Sequence, residues 1–123
     1  IAVAQMTCVV GDTAANLATI ERLVQQARTA DVDILCLPEL CVSGYNAGDN
    51  DHPVAEPLDG PSVRHLADLG SHTGLTFLAG LLERDVSGIV YNTQLVFGPA
   101  GRLWPLSQDP RAHHRERHLV SGR

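Results

Sequence analysis

The feature that most constrains this chain is the order of two short apolar runs around one stretch of helical period. Residues 1–7 are apolar with β-branched members, as a buried strand is, and Gly11-Asp12 breaks the run. Over residues 13–30, Leu17, Ile20, Leu23, Val24 and Ala27 recur three or four apart. Glu21, Arg22, Gln25, Gln26 and Arg28 take the other face, and Asp12 stands at the N-cap position. A second apolar run, Ile34-Leu35-Cys36-Leu37, opens after Asp33 and stops at Pro38. Strand, helix and strand in that order predict a βαβ unit with parallel strands, and so an α/β fold. Glu39 then falls just beyond the carboxyl end of a strand.

Residues 43–61 are rich in Gly, Asn, Asp and Pro and read as a long loop, a kind that is usually functional or mobile in a compact domain. Val63, Leu66, Ala67 and Leu69 predict a second helix, with Pro61 at its start and Gly74 past its end. Residues 76–82 and 89–97 read as strands joined by a hairpin connection over 83–88, and 98–101 as another turn. Residues 104–110 hold two prolines and favour neither strand nor helix. No internal repeat is present.

At 123 residues and 44% hydrophobic, the chain is expected to form one domain with one core. It opens on Ile1 inside an apolar run and reads as a piece of a longer protein. No run approaches the roughly 18 apolar residues of a membrane span, and a secretory leader pattern is absent, so a cytoplasmic location is expected. The net charge of −5 disfavours a nucleic-acid or membrane-surface partner. All nine basic residues are Arg; Lys is absent. Cys8, Cys36 and Cys41, an odd number, are expected to be free thiols. The charge balance breaks near residue 102: four Arg face twelve acidic residues before it, and five Arg face two from there on.

Several segments, taken together, carry a family likeness. Ala4-Gln5-Met6, the helix after Gly11-Asp12, Leu37-Pro38-Glu39-Leu40 and Gly44-Tyr45 resemble the opening of the nitrilase, or carbon-nitrogen hydrolase, superfamily. The likeness continues through Gly80-Leu81-Leu82-Glu83-Arg84 and Tyr91-Asn92-Thr93 to Gly101-Arg102-Leu103, about the first 103 residues. Pro38 to Asp49 looks most like the amidase branches. The resemblance implies the N-terminal portion of a four-layer α-β-β-α sandwich, a small-molecule amide substrate, no cofactor or metal, and a homo-oligomer. It implies Glu, Lys and Cys catalysis: a thiolate attacks an amide carbonyl, ammonia or an amine leaves, and water hydrolyses the thioester. Glu39 matches the family's first Glu. Its place makes sense independently, because ligands of α/β sheets bind at the carboxyl ends of strands.

The Lys is expected shortly after Gly101-Arg102-Leu103, in a segment resembling Gly-Arg-Tyr-Arg-Lys-Ile-His, where this chain reads Trp104-Pro105-Leu106-Ser107-Gln108-Asp109-Pro110-Arg111. Those eight residues can be encoded TGG CCG CTA TCG CAA GAT CCA CGC, and reading from the second base gives the family segment, with Gln108 over the Lys. Residues 104–123 are therefore read as a degenerate tail, shifted out of frame. Glu116, eight residues beyond Gln108, matches the family's second Glu; its other reading is a solvated charge between Arg115 and Arg117. Leu119-Val120-Ser121-Gly122 resembles the family's next stretch. Without Lys or a recognisable Gly-x-x-x-Cys elbow, the chain as written is expected to be inactive. The alternative is a non-catalytic fragment that acts as a binding or subunit-interaction module.

Other candidates carry less. Cys41 lies two residues from Glu39, but the family's nucleophile lies far downstream, and Cys8 and Cys36 sit in apolar runs as small buried hydrophobes do. Tyr45 either lines the substrate pocket or packs the loop, and Glu83 is read as structural. His114 and His118 have the i, i+4 spacing of zinc sites, but the flanking arginines oppose a dication. His52, His65 and His72 read as surface residues.

Overall fold

The computed structural model describes residues 1–45 and 53–108, with side chains through Arg102. The element order is β1 (Ala2–Val3), α1 (Thr13–Thr29), β2 (Ile34–Cys36), α2 (Pro61–Thr73), β3 (Thr76–Arg84), β4 (Val90–Gly98) and β5 (Gly101–Gln108). The strands form one sheet in sequence order, β1-β2-β3-β4-β5. The first three are parallel, as the βαβ reading requires, and β4 and β5 are added antiparallel through short turns.

Local chemistry sets the helix ends. Asp12 caps α1 by accepting from the Ala15 N–H at 3.0 Å. Helix α2 has glycine at its N-cap, which supplies no side chain; Glu56 takes over, its Oε2 accepting from the Ser62 N–H at 3.3 Å. Pro61 starts α2 and Gly74 ends it in the left-handed conformation. Strand β1 is shorter than the apolar run over 1–7, because its partner β2 offers only three residues; the pairing ends with the Ala4 N–H donating to the Cys36 carbonyl at 2.9 Å.

The core occupies one face of the sheet. Leu35, Phe77 and Phe97 are cross-strand partners in one row, Ala79 and Leu95 in the next, and Phe77 stacks on Phe97 with centroids 5.2 Å apart. Ile20, Val24 and Ala27 of α1 and Val63 and Leu66 of α2 join these residues in a single cluster, so both helices cover the same face. The helices also meet at the surface, where His65 Nε2 lies 2.5 Å from Glu21 Oε1. Gly70 lets α2 press on the β4-β5 turn: a Cβ there would lie 2.9 Å from the Gly98 backbone.

The tail departs from expectation. Residues 104–108, read as neither strand nor helix, continue β5 as far as Gln108. Two facts explain it. The Gly98–Gly101 turn, with Gly101 at φ 86°, returns the chain alongside β4, and β5 is the last strand of the sheet, where a proline such as Pro105 is tolerated. Glu83 and Arg84 also belong to β3 rather than to the turn, which is tied by Asp85.

Asp85 Oδ1 accepts from the Ser87 N–H at 2.8 Å, the Ser87 hydroxyl at 2.7 Å and the Ile89 N–H at 2.9 Å. These bonds, the Ser87 hydroxyl foremost, hold its carboxyl below the ordinary 3.8. A carboxyl with a lowered folded pKa stabilises the turn fully above 3.8 and loses that contribution as pH falls through the folded value. Hydrogen exchange of the Ser87 and Ile89 amides is therefore expected to lose protection as pH drops below about 3.8, and Asp85→Asn to remove that pH dependence.

Candidate active site around Glu39

Strand β3 presents the Leu78 and Gly80 carbonyls two residues apart, and neighbouring backbone meets them with the N–H groups of Leu37, at 3.0 Å, and Val42, at 3.0 Å. The donors are five residues apart. That is three more than regular pairing allows, so residues 38–41 leave the sheet, and Pro38 lacks an N–H that could have joined it. The excursion closes as a turn in which the Gly44 N–H donates to the Leu40 carbonyl at 2.8 Å. Leu40 sits at φ 49°, a left-handed conformation that is costly for a bulky residue and that recurs beside functional groups. Glu39 is therefore carried on a strained turn beyond the end of β2.

The turn lies on the face away from the helices. Thr93, Leu95 and Phe97 point into the core, so Asn92, Gln94 and Val96 alternate to the other side, with Leu82 and Gly80 as the partners of Asn92 and Gln94. Gly80 is what lets the turn approach: a Cβ there would lie 2.7 Å from the Leu40 nitrogen and 2.7 Å from Gln94 Oε1. Next to it, Asn92 Nδ2 donates a hydrogen bond to Glu39 Oε1.

Strand β5 adds one more position. Gly98 pairs with Gly101 and Phe97 with Arg102, but Val96 pairs with Trp104, leaving residue 103 as a bulge. That one-residue shift sets Gln108, rather than Ser107, opposite Asn92. Cross-strand partners share a face. Position 108 is thus one strand away from the residue that binds Glu39.

The other candidates are scattered. Cys41 is fully buried, its Sγ 3.8 Å from the Gly80 carbonyl, and burial pushes its thiol up to about 12, leaving it neutral and a poor nucleophile. Cys8 and Cys36 are partly buried and free. Tyr45 is exposed, beyond a Gly44 that packs against the Val10 backbone. Glu83 accepts from the buried Thr93 hydroxyl at 2.5 Å, while its backbone neighbours bracket Glu56: the Glu56 N–H donates to the Leu82 carbonyl and the Arg84 N–H to the Glu56 carbonyl. Glu116, His114 and His118 lie outside the described residues. Among the described residues no group of three His, Cys, Asp or Glu could hold a metal ion, and no helix is long and apolar enough to cross a membrane.

Comparison with known proteins gives the family. The carbon-nitrogen hydrolase family model matches residues 1–123. The chain belongs to the carbon-nitrogen hydrolase family. It is 38% identical over 94 residues to a hydrolase of Pseudomonas protegens, covering 75% of this chain and 32% of that protein. It is 32% identical over 105 residues to the omega-amidase NIT2 of Xenopus tropicalis, covering 85% of this chain and 35% of that protein. The chain thus spans about a third of the length of these relatives. Among solved structures, an amidase from Nesterenkonia sp. shares the fold with a TM-score of 0.76 at 18% identity, over 86% of this chain and 41% of that one. A Xanthomonas campestris protein of the CN-hydrolase superfamily matches with a TM-score of 0.70 at 25% identity, over 94% of this chain and 39% of that one. The fold is the expected α/β type, and an N-terminal portion of the family's fold fits it.

Asn92 is the site residue that the sequence reading left without a role. Its signal was present, since asparagine is disfavoured in strand interiors and needs a reason to stand in one. Gly80→Ala is expected to destabilise the chain by about 1–3 kcal/mol in urea unfolding, because the added methyl meets backbone on the turn. Gly74→Ala, where a Cβ meets nothing within 4 Å, provides the comparison: its cost comes from its φ of 70° alone.

Proposed function

We propose that this chain is the portion of an amidase-type carbon-nitrogen hydrolase that carries its general base, Glu39, and that its tail has lost the reading frame near residue 104. In the family's covalent chemistry Glu39 would accept the proton of the attacking thiol and later that of the hydrolytic water. The observation that carries the reading is the register of β5: the position over which the family's Lys falls, Gln108, pairs with Asn92, whose side chain binds Glu39. A cation at that position would stand within reach of both the carboxylate and an oxyanion formed beside it. Glutamine has no charge to offer there. As written, the chain therefore holds the base without its cation.

The substrate proposed is a small-molecule amide, a reading supported by the amidase-like pattern over residues 38–49 and by the likeness to an omega-amidase. Tyr45 is proposed to border the acyl-group pocket and Glu116 to be the supporting second carboxylate. Neither needs a metal or cofactor.

The test is to sequence the gene from the Leu103 codon to well past the Arg123 codon. The expected result is a single-base insertion or deletion whose correction writes a Lys codon at position 108 and continues to a nucleophilic Cys. The corrected product is then expected to release ammonia from small amides, and Glu39→Gln to lower kcat by about 10²–10⁴. An unchanged sequence that ends at Arg123 would overturn the enzyme reading and turn the search toward binding.

A further inference from the structure

The carboxylate of Glu39 meets Asn92 across a separation of 53 residues, between a strained turn and a central stretch of the sheet. We infer that Asn92 is a positioning residue that holds Glu39 Oε1 and leaves Oε2 as the oxygen free to take a proton. The inference rests on the reading of Glu39 as the base and deepens it.

Three observations support it. A carboxylate only accepts hydrogen bonds, so the carboxamide must present its Nδ2, which donates and cannot take up a proton at ordinary pH. Asn92 therefore fixes the carboxylate without competing for the proton that Glu39 is to carry. It also brings no charge of its own to the site. The support is rigid: Asn92 is in β4, paired with Leu82 on one side and Gln108 on the other, whereas Glu39 is on a turn that the sheet does not hold directly. Without this bond the carboxylate would be free to turn about its terminal torsion, a freedom that a preorganised base must give up. Gly80 completes the arrangement by letting the turn come down to where Asn92 can reach it.

A purely structural contact, serving only to fasten residues 38–41, would be satisfied equally by a neutral side chain of the same shape. Charge is what separates the two roles, because a hydrogen bond to an ionised acceptor is roughly twice as strong as one between neutral groups. The test is nuclear magnetic resonance of the uniformly ¹⁵N-labelled 123-residue chain, with the Asn92 side-chain amide assigned by its loss in Asn92→Ser. One of its two protons is expected downfield, with exchange slowed at least tenfold relative to an exposed Asn. In Glu39→Gln that proton is expected to move upfield and exchange faster, while the backbone amides of residues 39–42 keep their shifts. Glu39→Ala, a truncation on a turn that leaves the sheet intact, is expected to abolish the protection.

An Asn92 amide that is unchanged in Glu39→Ala would overturn the contact. One that is changed in Glu39→Ala but not in Glu39→Gln would overturn the positioning role and leave a packing contact. Failure of the base reading looks different: hydrolysis by the frame-corrected protein would be indifferent to Glu39→Gln while the amide signature stood.

Discussion

A mismatch of spacing along one strand organises this molecule. Two carbonyls of β3, at Leu78 and Gly80, are met by donors at Leu37 and Val42, so four residues lie between the donors where a regular parallel strand would have one, a surplus of three. Everything characteristic of the site follows from that surplus. Glu39 is among the expelled residues, Leu40 takes the left-handed conformation that turns the chain back, and Gly80 has to be glycine because the returning backbone lies over it. Once past the turn, the chain pairs with β3 again through Glu56, so the edge of this strand is completed by three separate segments in succession. The turn that carries Glu39 is therefore anchored by backbone pairing at both of its ends, while the carboxylate itself is held by Asn92.

What holds the returning segment down is a single buried side chain. Asn16, 1% exposed, accepts from the Val9 N–H at 2.7 Å and donates to the Val9 carbonyl at 2.8 Å and the Val42 carbonyl at 2.9 Å. It thereby ties α1 to the chain leaving β1 and to the chain leaving the Glu39 turn. The Gly11 N–H adds a bond to the Ser43 carbonyl at 3.1 Å, and Gly44 packs on Val10. Each such bond contributes only about 0.5–1.5 kcal/mol net, but leaving the buried Val42 carbonyl unsatisfied would cost about 1–3 kcal/mol. Asn16 thus acts through the penalty of its absence. Asn16, which makes no bond to Glu39, thereby helps to fix where the turn that carries Glu39 ends.

The sequence made the scaffold legible because its elements are local. Helical period, an Asp cap, Pro at a helix start and Gly at its end each act within a few residues, and α1, α2, β2, β3 and β4 fall close to where these signals put them. Glu39 was legible for a related reason, since an apolar run that stops at proline ends a strand. Asn92, Gly80 and the β5 pairing were not, because each depends on a partner distant in the chain. Asn92 has meaning only beside Glu39, and Gly80 only beneath Leu40. The stretch 104–110 misled for a different reason: its two prolines speak against a strand, yet over 104–108 pairing at the end of a sheet overrides local preference.

That last point bears on how a tail read as out of frame can still pair in register with β4. The hairpin leading into β5 is set by Gly98, Gly101 and Arg102, whose guanidinium Nη1 donates to the Leu58 carbonyl at 2.7 Å. All three precede the residue at which the frame is proposed to change. Once the turn and the one-residue bulge have set the register, backbone pairing carries it forward whatever the side chains are, because ladder bonds join N–H and C=O groups common to every residue but proline. Position 108 therefore arrives opposite Asn92 by inheritance from upstream geometry, while the side chain that arrives there is fixed by the frame. Geometry and chemistry have separate origins at this one position.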